Sequence, residues 1–454
     1  MQNHPAFSPL LDTDTPLYMQ VYNYYRDLIL SGKLPPNAKL PSLRRCAETL
    51  GVSRTTAEGA YLQLCADGYI LSRPKSGYFV TDLYFRAPAP ARTPQAARLE
   101  APVYDFASLS ADRESFDFDL WRRYLKSALR QDGRLLSYGE VQGERDLREA
   151  LALYLSEKRN VVCRADSIVI GAGVQSLLHL LCAVLHDRRT VAFCDPAFLQ
   201  GHAIFQDHGF TICAKEADAQ VLYVSPSHMN RRGDVLSTPA RIALLKRTLE
   251  RGALLIEDDY DNEFCYFDRP APALQGLDGG RHVVYIGTFS RLLLPSIRLS
   301  FLVLPDDLLT RYRTVAPLYN QTASKVEQIA LCQFIRDGHL SSQIRKVRRL
   351  YTKKAQLLES AAAAAFGETA DVALRETGFA VEVRLRKAML AGTAERAARR
   401  ASVALRAEND AAGRCVLSLT CSGVQTAHFE RAARTLAAVF SADGAQNLEK
   451  PPNQ

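Results

Sequence analysis

Side chains able to hold a ligand gather at the ends of apolar runs in the middle of this chain. The run LLIEDDYDNEF (Leu254–Phe264) passes from aliphatic residues to Asp258 and Tyr260. Further on, VVYIGTFSRLLLPSIRLSFLVL (Val283–Leu304) carries Ser290, Arg291 and Arg298 between two apolar stretches. Open α/β sheets build ligand pockets where strands end, so a carboxylate, a phenol, a hydroxyl and two guanidiniums placed there can frame an anionic ligand. Arg298 suits a bidentate contact. A second set lies near the N-terminus. Ser42, Arg44 and Arg45 precede a tight Gly51-Val52 break, Ser53, Arg54, Thr55 and Thr56 follow it, and Lys75 stands beside Gly77 in a turn. Short hydroxyls and one long guanidinium at a helix N-terminus can meet the phosphates and base edges of a DNA duplex.

The elements that must position the N-terminal set are legible. Leu17, Val21, Tyr24, Tyr25, Leu28 and Ile29 recur at helical spacing before Gly32. Ser42 and Ser53 look like N-caps of two further helices. Tyr69–Val80 predicts two short strands around a Pro-Lys-Ser-Gly turn, so residues 15–82 predict a winged helix-turn-helix. Lysine plus arginine barely exceed aspartate plus glutamate over residues 1–82, at 8 against 7, yet the positive residues gather at the turn and hairpin. Arg44 and Arg45 would flank the groove, and Lys75 would reach a neighbouring backbone or the minor groove. The competing reading is a three-helix adaptor with a solvated basic face.

Residues 1–14 are expected to form an arm, and 83–103, rich in Pro, Ala and Arg, a linker. From Tyr104 strands alternate with helices, which predicts a mostly parallel sheet over 104–305. Within it, DSIVIGAGVQSLLHLLCAVL gives strand, glycine turn and helix, so the amides of Ala172–Gln175 could face a phosphate. TVAFCDPAF presents Phe198, either a ring for a flat heterocycle or part of the core. VLYVSPSHMN leads a further strand to His228. Residues 306–442 predict interdomain helices and a small α+β subdomain, and 443–454 a tail. The basic run RKVRRLYTKK (Arg345–Lys354) reads as a solvated helix face or an anion site.

Composition narrows the class. The 454 residues are 47% hydrophobic and 23% charged, as in a soluble globular protein of about two or three domains. No run is long and apolar enough to cross a bilayer, and no secretory signal stands at the N-terminus, so a cytoplasmic protein is expected. Ten cysteines form no CxxC pair and no His cluster, which points to reduced thiols and no metal. The net charge of +8 permits nucleic-acid binding without establishing it.

The segment PLYMQVYNYYRDLILSGKLPPNAKLPSLRRCAETLGVSRTTAEGAYLQLCADGYI is similar to GntR-type winged helices almost end to end. The order strand, Thr-Phe-Ser, basic residue, Pro, Arg resembles the cofactor segment of fold-type I aminotransferases, which use pyridoxal phosphate (PLP). Together the two halves resemble the MocR/GabR regulators over roughly residues 15–440. The resemblance implies a multi-domain chain: a winged helix-turn-helix plus an α/β fold-type I aminotransferase-like domain with a small C-terminal α+β subdomain. It further implies a homodimer on an operator, and a PLP or amino-bearing effector that is sensed rather than turned over. Carried over, Asp258 pairs with the pyridine nitrogen, Tyr260 with the ring hydroxyl, and Ser290 and Arg298 lie near the phosphate. Gly173 and Gln175 match the phosphate turn, Phe198 the ring-stacking position, and His228 the Pro-Ser-His segment.

Four departures set this chain apart from that pattern. Arg291 stands where the Schiff-base lysine is expected, and arginine stays protonated and cannot attack an aldehyde. HMNRRG (His228–Gly233) replaces a His-Gln-aromatic-Pro-Thr-Gly run. Ala380 stands in place of a histidine, and LSLTCS (Leu417–Ser422) lacks a carboxylate-holding arginine, although Arg414 is near. The expectation is a DNA-binding transcription regulator, not an enzyme, whose PLP is non-covalent if bound and which takes PLP, a small anionic metabolite or no ligand. Two other readings stay open: an aminotransferase with an accessory DNA-binding domain, and a scaffold that only dimerises the winged helices.

Overall fold

The computed structural model describes residues 15–82, 102–108, 110–227, 229, 235–260, 271–374, 380–410 and 412–441. The chain divides into two compact units, Met1–Leu99 and Glu100–Gln454.

In the first unit, α1 (Leu17–Leu30), α2 (Leu43–Leu50) and α3 (Arg54–Ala66) precede a hairpin of β1 (Ile70–Arg73) and β2 (Gly77–Val80). The expected caps form. Ser42 Oγ accepts from the Arg45 amide at 3.3 Å and Ser53 Oγ from the Thr56 amide at 3.0 Å. Each satisfies an amide that the first helical turn leaves without an internal partner. Gly51 takes φ +66° at the end of α2, which is why the break between α2 and α3 can be so tight. Val21, Tyr25, Cys46, Ala57, Tyr61, Leu64 and Ile70 fill the core between the helices and the hairpin. The architecture is the expected winged helix-turn-helix.

The second unit is built on a seven-stranded sheet. After β3 (Tyr104–Asp105) its strands are β4 (Ile168–Gly171), β5 (Thr190–Phe193), β6 (Thr211–Ile212), β7 (Val221–Val224), β8 (Leu254–Asp258), β9 (Val283–Thr288) and β10 (Ser300–Val303), in the order β4-β10-β9-β8-β7-β5-β6. All neighbouring pairs are parallel except those of β10, which runs antiparallel to both β4 and β9. The strands are short and apolar on both faces, as a sheet covered by helices on both sides requires. The antiparallel strand positions the site. Ser300, its first residue, pairs with Gly171 at the end of β4 and with Thr288 at the end of β9. Arg298, just before β10, therefore reaches the same sheet edge as the glycine turn after β4 and the polar residues after β8 and β9. A parallel β10 would have carried Arg298 to the opposite edge.

The long helix His339–Phe366 leads to a four-stranded antiparallel sheet, β11 (Ala370–Leu374), β12 (Ala380–Leu385), β14 (Arg406–Asn409) and β15 (Cys415–Thr420), backed by the helices Ala391–Arg400 and Phe429–Phe440. The remaining strand, β13 (Val403–Ala404), pairs in parallel with β3. This is the expected small α+β subdomain. The described cysteines are all free thiols, and no metal-holding cluster occurs among the described residues. No described helix is long and apolar enough to cross a membrane.

Candidate functional site

The three consecutive acids at the end of β8 go to different tasks because a strand sends alternate side chains to opposite faces. Glu257 is fully buried on one face and accepts from the amides of Leu274 and Gln275 at 2.8 and 2.9 Å. Burial, with the nearby Asp259 charge adding, pushes its carboxyl up to about 7. Asp259, on the same face, takes Arg159 Nη2 at 2.6 Å, Arg159 Nε at 3.0 Å and the Tyr285 hydroxyl at 2.7 Å. Asp258 points the other way, where the Tyr223 hydroxyl donates to Oδ2 at 2.5 Å. Burial, reinforced by the Asp258 charge, raises the Tyr223 phenol well above its ordinary range. Asp258 is thus the acid on the face that carries the helix Val174–Val184 and the aromatic shelf.

That shelf is Phe198 on Tyr223, with ring centroids 5.3 Å apart and planes 29° from parallel. Phe198 also covers Gly201, where a Cβ would come within 2.4 Å of its ring. Tyr223 lies within an apolar strand run that carries no local signal for it; the β7–β8 pairing, with Tyr223 opposite Ile256, shows its reach to Asp258.

The glycine turn and Arg298 meet. Gly173 caps the helix Val174–Val184 at φ +89°, and a Cβ built there would lie 2.4 Å from Arg298 Nη2. Arg298 itself takes φ +52°, rare for a side-chain-bearing residue, where the chain turns into β10. The turn amides differ from expectation. Ala172 donates to Thr322 Oγ1 at 3.0 Å and Gly173 to the Gly171 carbonyl at 2.9 Å, so of the expected four only Val174 and Gln175 remain to face an anion. Gln175 is exposed on the first helical turn. Ser290 Oγ lies 3.1 Å from Thr288 Oγ1, which also accepts from Ser300 Oγ at 2.9 Å. A helix N-terminus, a guanidinium and a chain of hydroxyls on one sheet edge can hold a phosphate.

Arg291 follows Ser290 directly in the turn after β9. With Ser110, Tyr351, Thr420 and Ser422 it lines a recess of about 20 Å³, and burial pushes the Tyr351 phenol up to about 12. Tyr260 ends the described part of its segment. His228 and most of HMNRRG lie outside the described residues, while Ala380 opens β12.

In the first unit Arg54 and Thr55 are exposed at the start of α3, with Ser53 Oγ 2.8 Å from Thr55 Oγ1 and 2.7 Å from Thr56 Oγ1. Arg45 is exposed beside them on α2, and Arg44 bonds Glu48 at 3.0 Å in a solvated pair. Lys75 takes φ +60° at the hairpin tip and Gly77 φ +107°. Arg73 and Lys39, absent from the sequence reading, flank the hairpin by lying over the Phe79 ring at 4.6 and 5.7 Å.

Two family models match the chain: bacterial regulatory proteins of the gntR family over residues 17–80, and aminotransferase class I and II over residues 109–435. The HTH-type transcriptional regulator YdeL of Bacillus subtilis is 37% identical, over 81% of this chain and 84% of its own length. The "Probable rhizopine catabolism regulatory protein MocR" of Rhizobium meliloti is 31% identical over 76% of each chain. Among solved structures, the α-aminoadipate aminotransferase LysN of Thermus thermophilus superposes with a TM-score of 0.62 at 23% identity, covering 76% of this chain and 92% of LysN, a likeness of fold. The chain belongs to the GntR-type HTH transcriptional regulators whose second part is a class I and II aminotransferase domain, the group that includes MocR.

Proposed function

We propose that this regulator senses a small anionic ligand in its aminotransferase-like unit, holds PLP non-covalently if at all, and does not transaminate. Arg291 carries this reading. It follows Thr-Phe-Ser at the end of β9, where the family resemblance calls for lysine, and a guanidinium supplies no neutral amine at any working pH. PLP, when bound, supplies an electron sink for chemistry beside an amino group. The other residues fit its phosphate and ring: the absence of a Cβ at Gly173 lets the Arg298 guanidinium lie against the turn, and Asp258 is a buried carboxylate already oriented by Tyr223. Arg298, Ser290 and the Val174 and Gln175 amides would hold the phosphate. Asp258 would keep a proton on the ring nitrogen, Tyr260 would bond the ring hydroxyl, and Phe198 would lie against the ring.

Borohydride reduction of the full chain with PLP tests this. Mass spectrometry is expected to find no pyridoxyl group on wild-type protein and one per chain on Arg291→Lys. A pyridoxyl group on one specific wild-type lysine, such as the buried Lys354, would refute the reading.

On DNA, the exposed N-terminus of α3 enters the major groove and the hairpin tip follows the backbone. Arg54→Ala is expected to weaken operator binding by about 1–3 kcal/mol and to relax sequence preference. Equal affinity of variant and wild type in a footprinted-operator titration would remove Arg54 from base readout.

The second unit pairs with another copy of itself. Leu136, Tyr138 and Leu318 are 89%, 103% and 81% exposed, the first two after the short helix Asp132–Leu135 and the last ending the 3-10 turn Ala316–Leu318, and their segments are tied by bonds from Lys325 Nζ to the Ser137 carbonyl (2.7 Å) and from Gln321 Nε2 to the Val141 carbonyl (2.9 Å). Clustered large apolar side chains mark an interaction face. Leu136→Lys with Leu318→Lys is expected to halve the mass seen by light scattering. An unchanged dimer mass would count against this face.

A further inference from the structure

The long helix His339–Phe366 presents a face that the ligand pocket does not use. Arg345, Lys346, Arg349 and Lys353 are all exposed, while Val347, Tyr351, Ala355 and Leu358 are buried on the opposite side. At 100° per residue the four cations fall within one sector about 100° wide, shared with the exposed Ser342, Gln356 and Ser360. No acid stands in that sector. Among the described residues none of the four makes an ion pair, although many other exposed arginines of the unit do, including Arg122, Arg145, Arg164 and Arg386. The helix carries a single acid, Glu359, whose carboxylate instead accepts from the Leu374 amide at 3.0 Å.

Four like charges over two turns repel one another and lower helix stability unless a counter-charge relieves them. Arg345, Arg349 and Lys353 rise about 6 Å at each step along the helix axis, a spacing suited to successive phosphates on a nucleic-acid backbone. The apolar residues in the sector are the exposed Ala363 and Ala364, and a single exposed leucine, Leu357, stands about 20° beyond its edge, too little apolar surface for the broad apolar face of an amphipathic membrane-binding helix. The chain already carries a DNA-binding unit, and joining two modules in one chain raises the local concentration of the second at a duplex held by the first.

We propose that the Arg345–Lys346–Arg349–Lys353 face of the aminotransferase-like unit is a second, sequence-independent contact for the phosphate backbone of duplex DNA. The proposal rests on the chain binding DNA through its helix-turn-helix, and the two fail separately. Loss at Arg54 reports the first contact and loss of salt dependence the second.

The test measures affinity of the full chain for a random-sequence 60-base-pair duplex between 50 and 200 mM salt. Four lost phosphate contacts should flatten the slope of log K against log salt by about 3–4 in the R345Q/K346Q/R349Q/K353Q variant, shrinking the affinity change over that range by about 100-fold. A charge-keeping variant, R345K/R349K, should retain the wild-type slope. An unchanged slope in the glutamine variant would overturn the proposal, whether or not its binding to phosphatidylserine vesicles falls. A slope lost equally in the charge-keeping variant would also overturn it, since the loss would then follow helix damage and not charge.

Discussion

Asp259→Ala is expected to destabilise the second unit by about 3–5 kcal/mol, the cost of breaking a buried ion pair. Asp259 and Arg159 have side chains 0% and 4% exposed, and they lie 2.6 Å apart. Removing the carboxylate takes from the buried guanidinium its bonds at 2.6 and 3.0 Å, and from the Tyr285 hydroxyl its 2.7 Å acceptor. A buried charge deprived of its carboxylate, more than the lost attraction, sets the size of the effect. Asp258→Asn should behave differently. An amide oxygen can still accept from Tyr223, so stability should fall by no more than about 1 kcal/mol, while affinity for a protonated ring nitrogen should fall. Chemical denaturation of both variants separates the roles. Similar losses in the two would mean that the opposite-face assignment of these neighbouring acids is wrong.

The difference between these two acids shows where sequence reasoning reaches its limit. EDDY reads as a polar strand end, and the winged unit reads almost completely, because caps, tight turns and 3.6-residue periodicity are local signals. Ser42 and Ser53 each bond an amide three residues on. Arg159, by contrast, lies 100 residues before Asp259, and Thr322 lies 150 residues after Ala172, whose amide it takes. Nothing local marks either partner. The direction of β10 was available in principle. Only the residues Phe289–Leu299 separate β9 from β10, fewer than the dozen or more that a parallel crossover needs. A short apolar run carries no sign of its own direction, so the connection length is the usable signal. The antiparallel return then explains why Arg298 arrives beside Gly173.

Arg298 and Gly173 make the other large prediction. Arg298→Ala should weaken binding of inorganic phosphate and of PLP by about 10–150-fold, the value of a charge-assisted hydrogen bond of about 1.5–3 kcal/mol. Gly173→Ala should reach a similar loss by a different route. Its φ of +89° with ψ of 166° lies in a region open essentially to glycine, costing about 1–3 kcal/mol for alanine, and the new Cβ would stand 2.4 Å from Nη2 and 2.9 Å from Cζ of Arg298. The exposed guanidinium can swing away more readily than the turn can open, so the alanine acts by evicting the arginine. The double variant should then bind no more weakly than the worse single variant, because both remove the same contact. Calorimetric titration with phosphate decides it: additive losses would mean that turn and guanidinium serve separate ligands, and wild-type affinity in Arg298→Ala would dissolve the cradle altogether.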